Sequence, residues 1–260
     1  MKRLQYLTVL LILLTIMSGG YAAQKIYLTS GEWPPYFSEN LNENGFLSAV
    51  VREAFRAENI DVEYGYFPWK RAYLYAERAL TIEGNTWLGS PGWLYTDQRA
   101  ENFFYSDVIL TEAEVLYSIK SNPVYWQTVE DLAGLTIGGT AHTRYEIFEE
   151  AERRNILTID RAGGYDILFS RLLAQRVDAI PSVKGVADFY IENQLTKEQR
   201  EQIIYAPQPV GTKVYYLMLS KQKPANAQLI TAFNRGLNKI KQNGVYDGLI
   251  EKLQTGYFYK

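Results

Sequence analysis

Short apolar runs alternate with segments whose apolar residues recur every three or four positions, and this alternation occurs twice along the chain. Ile26 to Thr29 predicts a strand, and Leu47, Val50, Val51, Ala54 and Phe55 fall on one helix face. Val62, Tyr64 and Tyr66 alternate as in a second strand. Ala72, Tyr73, Ala76 and Ala79 mark a second helix, followed by extended stretches at Phe103 to Tyr105 and Val115 to Ile119. The pattern then begins again with a turn at Asp131 to Gly134 and a strand at Leu135 to Gly138. Ile147, Phe148 and Ala151 predict one helix face, Ile167, Leu168 and Leu172 another, and Val177 to Ile180 a strand. Strands alternating with amphipathic helices predict an α/β fold, with mixed, mostly parallel sheets flanked by helices.

The end of the chain turns two consecutive units into two interleaved lobes. After Ile203 to Tyr205 and the Pro207, Pro209, Gly211 stretch, Val214 to Leu219 predicts a strand. Leu229, Phe233, Leu237 and Ile240 predict a long helix stopped by Gly244. One strand and one helix cannot easily make a domain alone, so they are expected to return to the first unit. Two crossings then join the lobes, near Leu110 to Ala113 and near Gln208 to Lys213, as in a hinged clamshell. The expected division is residues 23–112 as the first part of lobe one, 113–210 as lobe two and 211–260 as the return to lobe one.

Residues 1–22 read as a cleavable signal peptide. Lys2 and Arg3 form a basic start, Leu7 to Met17 an apolar run broken only by Thr8 and Thr15, and Ser18, Gly19, Gly20 and Ala22 supply small residues for cleavage. Export to the periplasm is expected. The chain has no cysteine, so neither a disulfide scaffold nor a lipid anchor on a cysteine is available to it.

Charge narrows the partners. The net charge is −2, and removal of residues 1–22, which hold two basic and no acidic residues, takes it to −4. A mildly acidic chain without a basic run or an arginine-rich helix argues against nucleic acid. One histidine and no cysteine leave few nitrogen or sulfur ligands, so neither a metal site nor a cofactor is expected. The 21 tyrosines combine an apolar face with a polar tip, which suits a half-wet cleft.

The chemistry concentrates between Thr96 and Asp107, where Arg99 follows Thr96 by three residues and an aromatic strand ends in Ser106 and Asp107. A planar guanidinium offers two parallel N–H donors that match a carboxylate, which lysine cannot do. Further motifs occur in order along the chain: Glu32-Trp33-Pro34-Pro35-Tyr36, Gly45 to Val51, Phe67-Pro68-Trp69-Lys70-Arg71, Asp131-Leu132-Ala133-Gly134, Ile137 to Tyr145, and Arg176-Val177-Asp178. With the Thr96 to Asp107 segment, this series resembles the family 3 bacterial extracellular solute-binding proteins across essentially the whole chain after the leader.

The resemblance implies a type II periplasmic binding fold and a small carboxylate-bearing solute, an amino acid or derivative, held between the lobes. It implies Arg99 on the carboxylate, aromatic walls from Trp33 and Trp69, and closure by the lobe-two loop around His142, Thr143 and Tyr145. Glu32, Arg71 and Trp93 are further candidate contacts. The partner it implies is an ABC permease or a membrane sensor, and a monomer is expected. Two positions depart from the family pattern. Leu94 stands where a serine or threonine often helps to hold the carboxylate, and Val183 aligns with the acid that usually receives a ligand ammonium. An unpaired ammonium in a closed cleft costs several kcal/mol at order of magnitude, so the usual mode of holding an α-amino acid is not expected; Glu32 is an alternative anion. The same fold hosts a dehydratase, and Glu32 with Arg71 and Arg99 would supply an acid or base and two anion clamps. No nucleophile with a paired base is evident, and non-catalytic binding is the expected function.

Overall fold

The computed structural model describes residues 24–141 and 143–259. The candidate signal peptide, residues 1–22, and the candidate contact His142 lie outside the described residues. The chain opens with β1 (Gln24–Ser30), α1 (Phe46–Arg56), β2 (Ile60–Tyr66), α2 (Trp69–Glu77), β3 (Thr81–Ile82), β4 (Asn85–Leu94), α3 (Asp97–Asn102) and β5 (Phe103–Tyr105). It continues through β6 (Leu110–Ile119), β7 (Thr136–Gly139), α4 (Glu146–Arg153), β8 (Thr158–Arg161), α5 (Tyr165–Leu173), β9 (Ile180–Val183), α6 (Lys184–Gln194) and α7 (Lys197–Arg200). The 18-residue β10 (Ile203–Ser220) leads to α8 (Asn226–Gln242) and α9 (Val245–Gln254).

The main sheet has the order β2-β1-β4-β10-β6-β9, and β7 and β8 form a separate pair. β1 runs parallel to β2 and β4, whereas β10 is antiparallel to both β4 and β6. One hydrogen-bonded ribbon of β6 and β10 therefore passes through both lobes, with register from Tyr215 opposite Leu110 to Ile203 opposite Ile119.

Each lobe has its own core because each sheet face must bury its apolar side. The face read on α1 is fully buried, and Phe233 and Leu237 of α8 enter the same cluster as Val50, Ala54 and Phe55. In lobe two, Leu132, Ile137, Phe148 and Ile159 form one cluster, and Leu168, Phe169, Leu172 and Val177 another. Ile147 and Ile167, read with the core faces of their helices, are exposed; Phe148 with Ala151, and Leu168 with Leu172, make those buried stripes without them.

β4 escapes the sequence pattern although it lies between β1 and β10. Gly89, Pro91 and Gly92 break its apolar alternation, and its register with β10 shifts opposite Pro91 and Trp93, where a residue without an N–H is tolerated. The strand read at Val177 to Ile180 forms three residues later, at Ile180–Val183, with Ala179 making a single bridge to Ile137.

The contact between α1 and α8 depends on Gly236. A Cβ there would lie 1.8 Å from the Ala54 carbonyl oxygen, which is backbone and cannot swing away. Gly236→Ala is expected to destabilise the protein by roughly 2 kcal/mol, because the overpacking cost exceeds the gain in helix propensity. Chemical denaturation checks this; an unchanged midpoint would mean that the two helices are loosely packed.

Candidate functional site

Arg99 is positioned by a short helix with a defined start. The Thr96 hydroxyl caps α3 by accepting the Arg99 backbone N–H at 3.2 Å, which explains the threonine-to-arginine spacing of three. The guanidinium turns back, and its Nη1 donates to the Leu94 carbonyl at 2.9 Å. The Tyr105 hydroxyl donates to the same carbonyl at 3.3 Å. Leu94 thus serves through its backbone, where the family resemblance leads one to look for a hydroxyl side chain. Arg99 Cζ stacks 4.9 Å from the Trp93 ring centroid, a cation–π arrangement that holds the fork in place. Arg99 is half-buried and enters no ion pair among the described residues. Burial raises the pKa of the Tyr105 hydroxyl against the opposing effect of the Arg99 charge. Burial, aided by a hydrogen bond to Glu77, pushes the Tyr73 hydroxyl up to about 12. Both phenols stay neutral beside a fixed cation at neutral pH.

A run of aromatic side chains extends from Arg99. Trp93 meets Trp69 edge-on at 5.4 Å, and Trp69 meets Phe37 at 6.2 Å. Trp33 stacks on Phe37 at 6.4 Å and reaches Tyr215 of β10 at 5.0 Å. Each indole of the Trp69–Trp93 pair is anchored: Trp69 Nε1 donates to the Glu32 carbonyl at 3.1 Å, and Trp93 Nε1 donates to Ser90 Oγ at 2.9 Å. The fold therefore brings Arg99, Trp93, Trp69, Glu32 and Trp33 into one connected wall. The Glu32 side chain is exposed, and Oε1 accepts the Glu39 amide at 3.0 Å. Arg71, on the first turn of α2, is exposed and forms no ion pair among the described residues.

The lobe-two loop is braced internally. Tyr145 is 3% exposed, and its hydroxyl accepts the Thr140 amide at 2.9 Å. Thr143 is exposed, bonded through its hydroxyl to Thr140 Oγ1, and its carbonyl accepts Arg161 Nη1 at 2.8 Å. Tyr145 thus shapes the loop from inside, whereas Thr143 presents its outer edge.

No family model matches the chain. The lysine/arginine/ornithine-binding periplasmic protein of Escherichia coli (strain K12) is 26% identical over 163 residues, or 60% of each chain. The chain thus spans about three fifths of the length of the curated relative it matches. Among solved structures, the GluR0 ligand-binding core of Nostoc punctiforme in complex with L-glutamate superposes with a TM-score of 0.66 at 18% identity, covering 88% of this chain and 98% of that one. An amino acid ABC transporter substrate-binding protein of Streptococcus pneumoniae bound to L-arginine gives 0.66 at 18% identity, covering 91% and 97%. The chain has the two-lobed fold of the periplasmic amino-acid-binding proteins. The two solved neighbours hold ligands of opposite side-chain charge, so the fold by itself does not fix which ligand is held.

The seam between the lobes contains groups that the sequence reading passed over. Glu112 and Glu114 lie on the same face of β6, and Lys213, opposite Glu112 in register, gives its Nζ to Glu114 at 3.2 Å. Burial raises the pKa of both carboxyls. Glu114 is also the register partner of Val183, which is buried in an apolar cluster with Tyr36 and Tyr215. The strand reading begins at Val115, one residue after Glu114 and three after Glu112.

Proposed function

We propose that this protein captures a small carboxylate-bearing solute, an amino acid or derivative, between its two lobes in the periplasm and delivers it to an ABC permease or a membrane sensor. The observation that carries the reading is Arg99: a half-buried, stacked guanidinium without a carboxylate partner among the described residues, set at the end of an aromatic wall. A fixed, incompletely paired guanidinium favours an incoming carboxylate because the desolvation and ordering costs are partly met before binding. The relatives named above are binding proteins, which supports capture without turnover. The crossings at Leu110 to Ala113 and Gln208 to Lys213 act as the hinge between lobe one, residues 23–112 and 211–260, and lobe two, residues 113–210. The continuous β6–β10 ribbon supports that division. Arg99, Trp93, Trp69 and Trp33 form the lobe-one half of the site, and Thr143 lies on the opposing loop.

A thermal-shift screen of the leaderless protein against amino acids, small carboxylates, polyamines and short sugars tests this function. A solute at a hundredfold its Kd stabilises by about 2.7 kcal/mol, enough to raise Tm by several degrees. Hits confined to carboxylates are expected. Hits confined to sugars or polyamines would overturn the reading.

A further inference from the structure

The lobes meet at a second place, where the start of α6 presses on the loop after β1. Val183 and Val186 are buried in the same cluster as Tyr36, Leu110 and Tyr215, and Phe189 meets Tyr259 edge-on at 5.2 Å. Tyr36 is completely buried, yet its hydroxyl has no hydrogen-bond partner among the described residues. A Cβ on Gly185 would lie 2.2 Å from that hydroxyl and 3.0 Å from Cζ, so Tyr36 occupies the space a side chain at 185 would need. Glu112, on the crossing strand, accepts the Gly185 amide on Oε2 at 3.3 Å and forms no ion pair among the described residues, where Lys213 pairs with Glu114. Lys184 Nζ is drawn off over the Tyr205 ring at 3.7 Å. A half-buried carboxyl outside any of the described ion pairs and an orphan phenol are costly inside a single core. Both become inexpensive once the surfaces that cover them can part.

We propose that Tyr36, Glu112 and Gly185 form a latch that joins the lobes without a solute and sets how much of the unliganded protein is closed. Apparent affinity scales with the closed fraction, so these residues tune binding without touching the solute. The latch is linked to protons. Burial raises the Glu112 pKa in the closed form, partly offset by the Gly185 N–H and the Lys184 charge. Parting the lobes returns Glu112 toward the ordinary carboxylate range. The closed form therefore binds more protons, and closure strengthens as pH falls through the raised Glu112 pKa and weakens above it. The charged groups facing Glu112 are Asp188 and Lys184 from α6, Glu114 from its own strand and Lys213 from β10. Burial raises Asp188 as well, with the same sign. The tyrosines around it, Tyr36, Tyr117, Tyr215, Tyr246 and Tyr259, are all raised by burial and stay neutral through this range.

The absence of cysteine permits one label per lobe, through Glu101→Cys and Lys197→Cys, and interlobe distances are then measured on solute-free protein from pH 5 to 8. Gly185→Ala is expected to move the distribution to longer distances. Tyr36→Phe alone should keep the closed peak. Tyr36→Phe with Gly185→Ala should recover most of it, since the new methyl then needs a shift of only a few tenths of an ångström. Glu112→Gln should remain closed and lose most of the wild-type pH response. A Gly185→Ala distribution equal to wild type, or a double variant as open as the single one, overturns the latch. Identical pH responses in wild type and Glu112→Gln overturn the role of Glu112. No solute is present, so the result stands apart from the capture reading.

Discussion

Arg99→Ala is expected to weaken binding of a carboxylate solute by on the order of 100-fold or more while leaving the fold intact. Removing one partner of a hydrogen-bonded charge pair in a closed cleft costs about 2–5 kcal/mol, because the other charge is left without a partner. Arg99 contributes little to stability by comparison. Among the described residues its side chain makes one hydrogen bond, to the Leu94 carbonyl, and lies over the face of Trp93. Arg99→Lys is expected to recover only part of the loss, since an ammonium has neither the planar fork nor the stacking surface. Calorimetric titration with the strongest thermal-shift hit gives the affinities, and circular dichroism checks the fold. Wild-type affinity in Arg99→Ala would place the solute elsewhere.

Phe233→Ala is expected to cost about 3–5 kcal/mol, the range for emptying a fully buried aromatic site. Phe233 is on α8, near the end of the chain, and its ring lies 5.0 Å from that of Phe55 on α1. Both are completely buried in the lobe-one cluster. If the C-terminal segment completes lobe one, the lost packing must appear in global unfolding, as a large fall in the denaturation midpoint with the cooperative transition retained. A change under about 1 kcal/mol would mean that α8 is an appendage and that lobe one is complete without it.

Much of the architecture was legible because its residues obey one period at a time. The α1 face from Leu47 to Phe55 and the α8 face from Leu229 to Ile240 keep helical spacing, and both are buried. β4 was illegible because its own Gly89, Pro91 and Gly92 imitate a turn while the strand is held on both sides. The placement of Arg99 was legible through its cap, since Thr96 must precede the helix by the number of residues that lets its hydroxyl meet the third N–H. Spacing could not reveal that Tyr145 points into the lobe-two core while Thr143 faces out, because neighbouring loop residues carry no period. Nor could it reveal the seam. Leu110 to Ala113 read only as a crossing between lobes, and it is the folding of α6 onto the loop at Tyr36 that brings the Glu112 carboxyl to the Gly185 amide.

Val183 bears on the solute. Its side chain is sealed among Tyr36, Val186 and Tyr215, so an ammonium group gains no charge partner from that position. A solute that carries one must find its counter-charge at another residue or rest its cation on the aromatic wall. The solute's position therefore discriminates most directly, and the measurement is a crystal structure grown with the strongest thermal-shift hit. The expected result is a carboxylate bound in two-point fashion by Arg99, flanked by Trp69 and Trp93, with the lobe-two loop at Thr143 closed over it. A solute seated away from Arg99, for example in the cavity beside Tyr125 and Pro207 on lobe two, would contradict it.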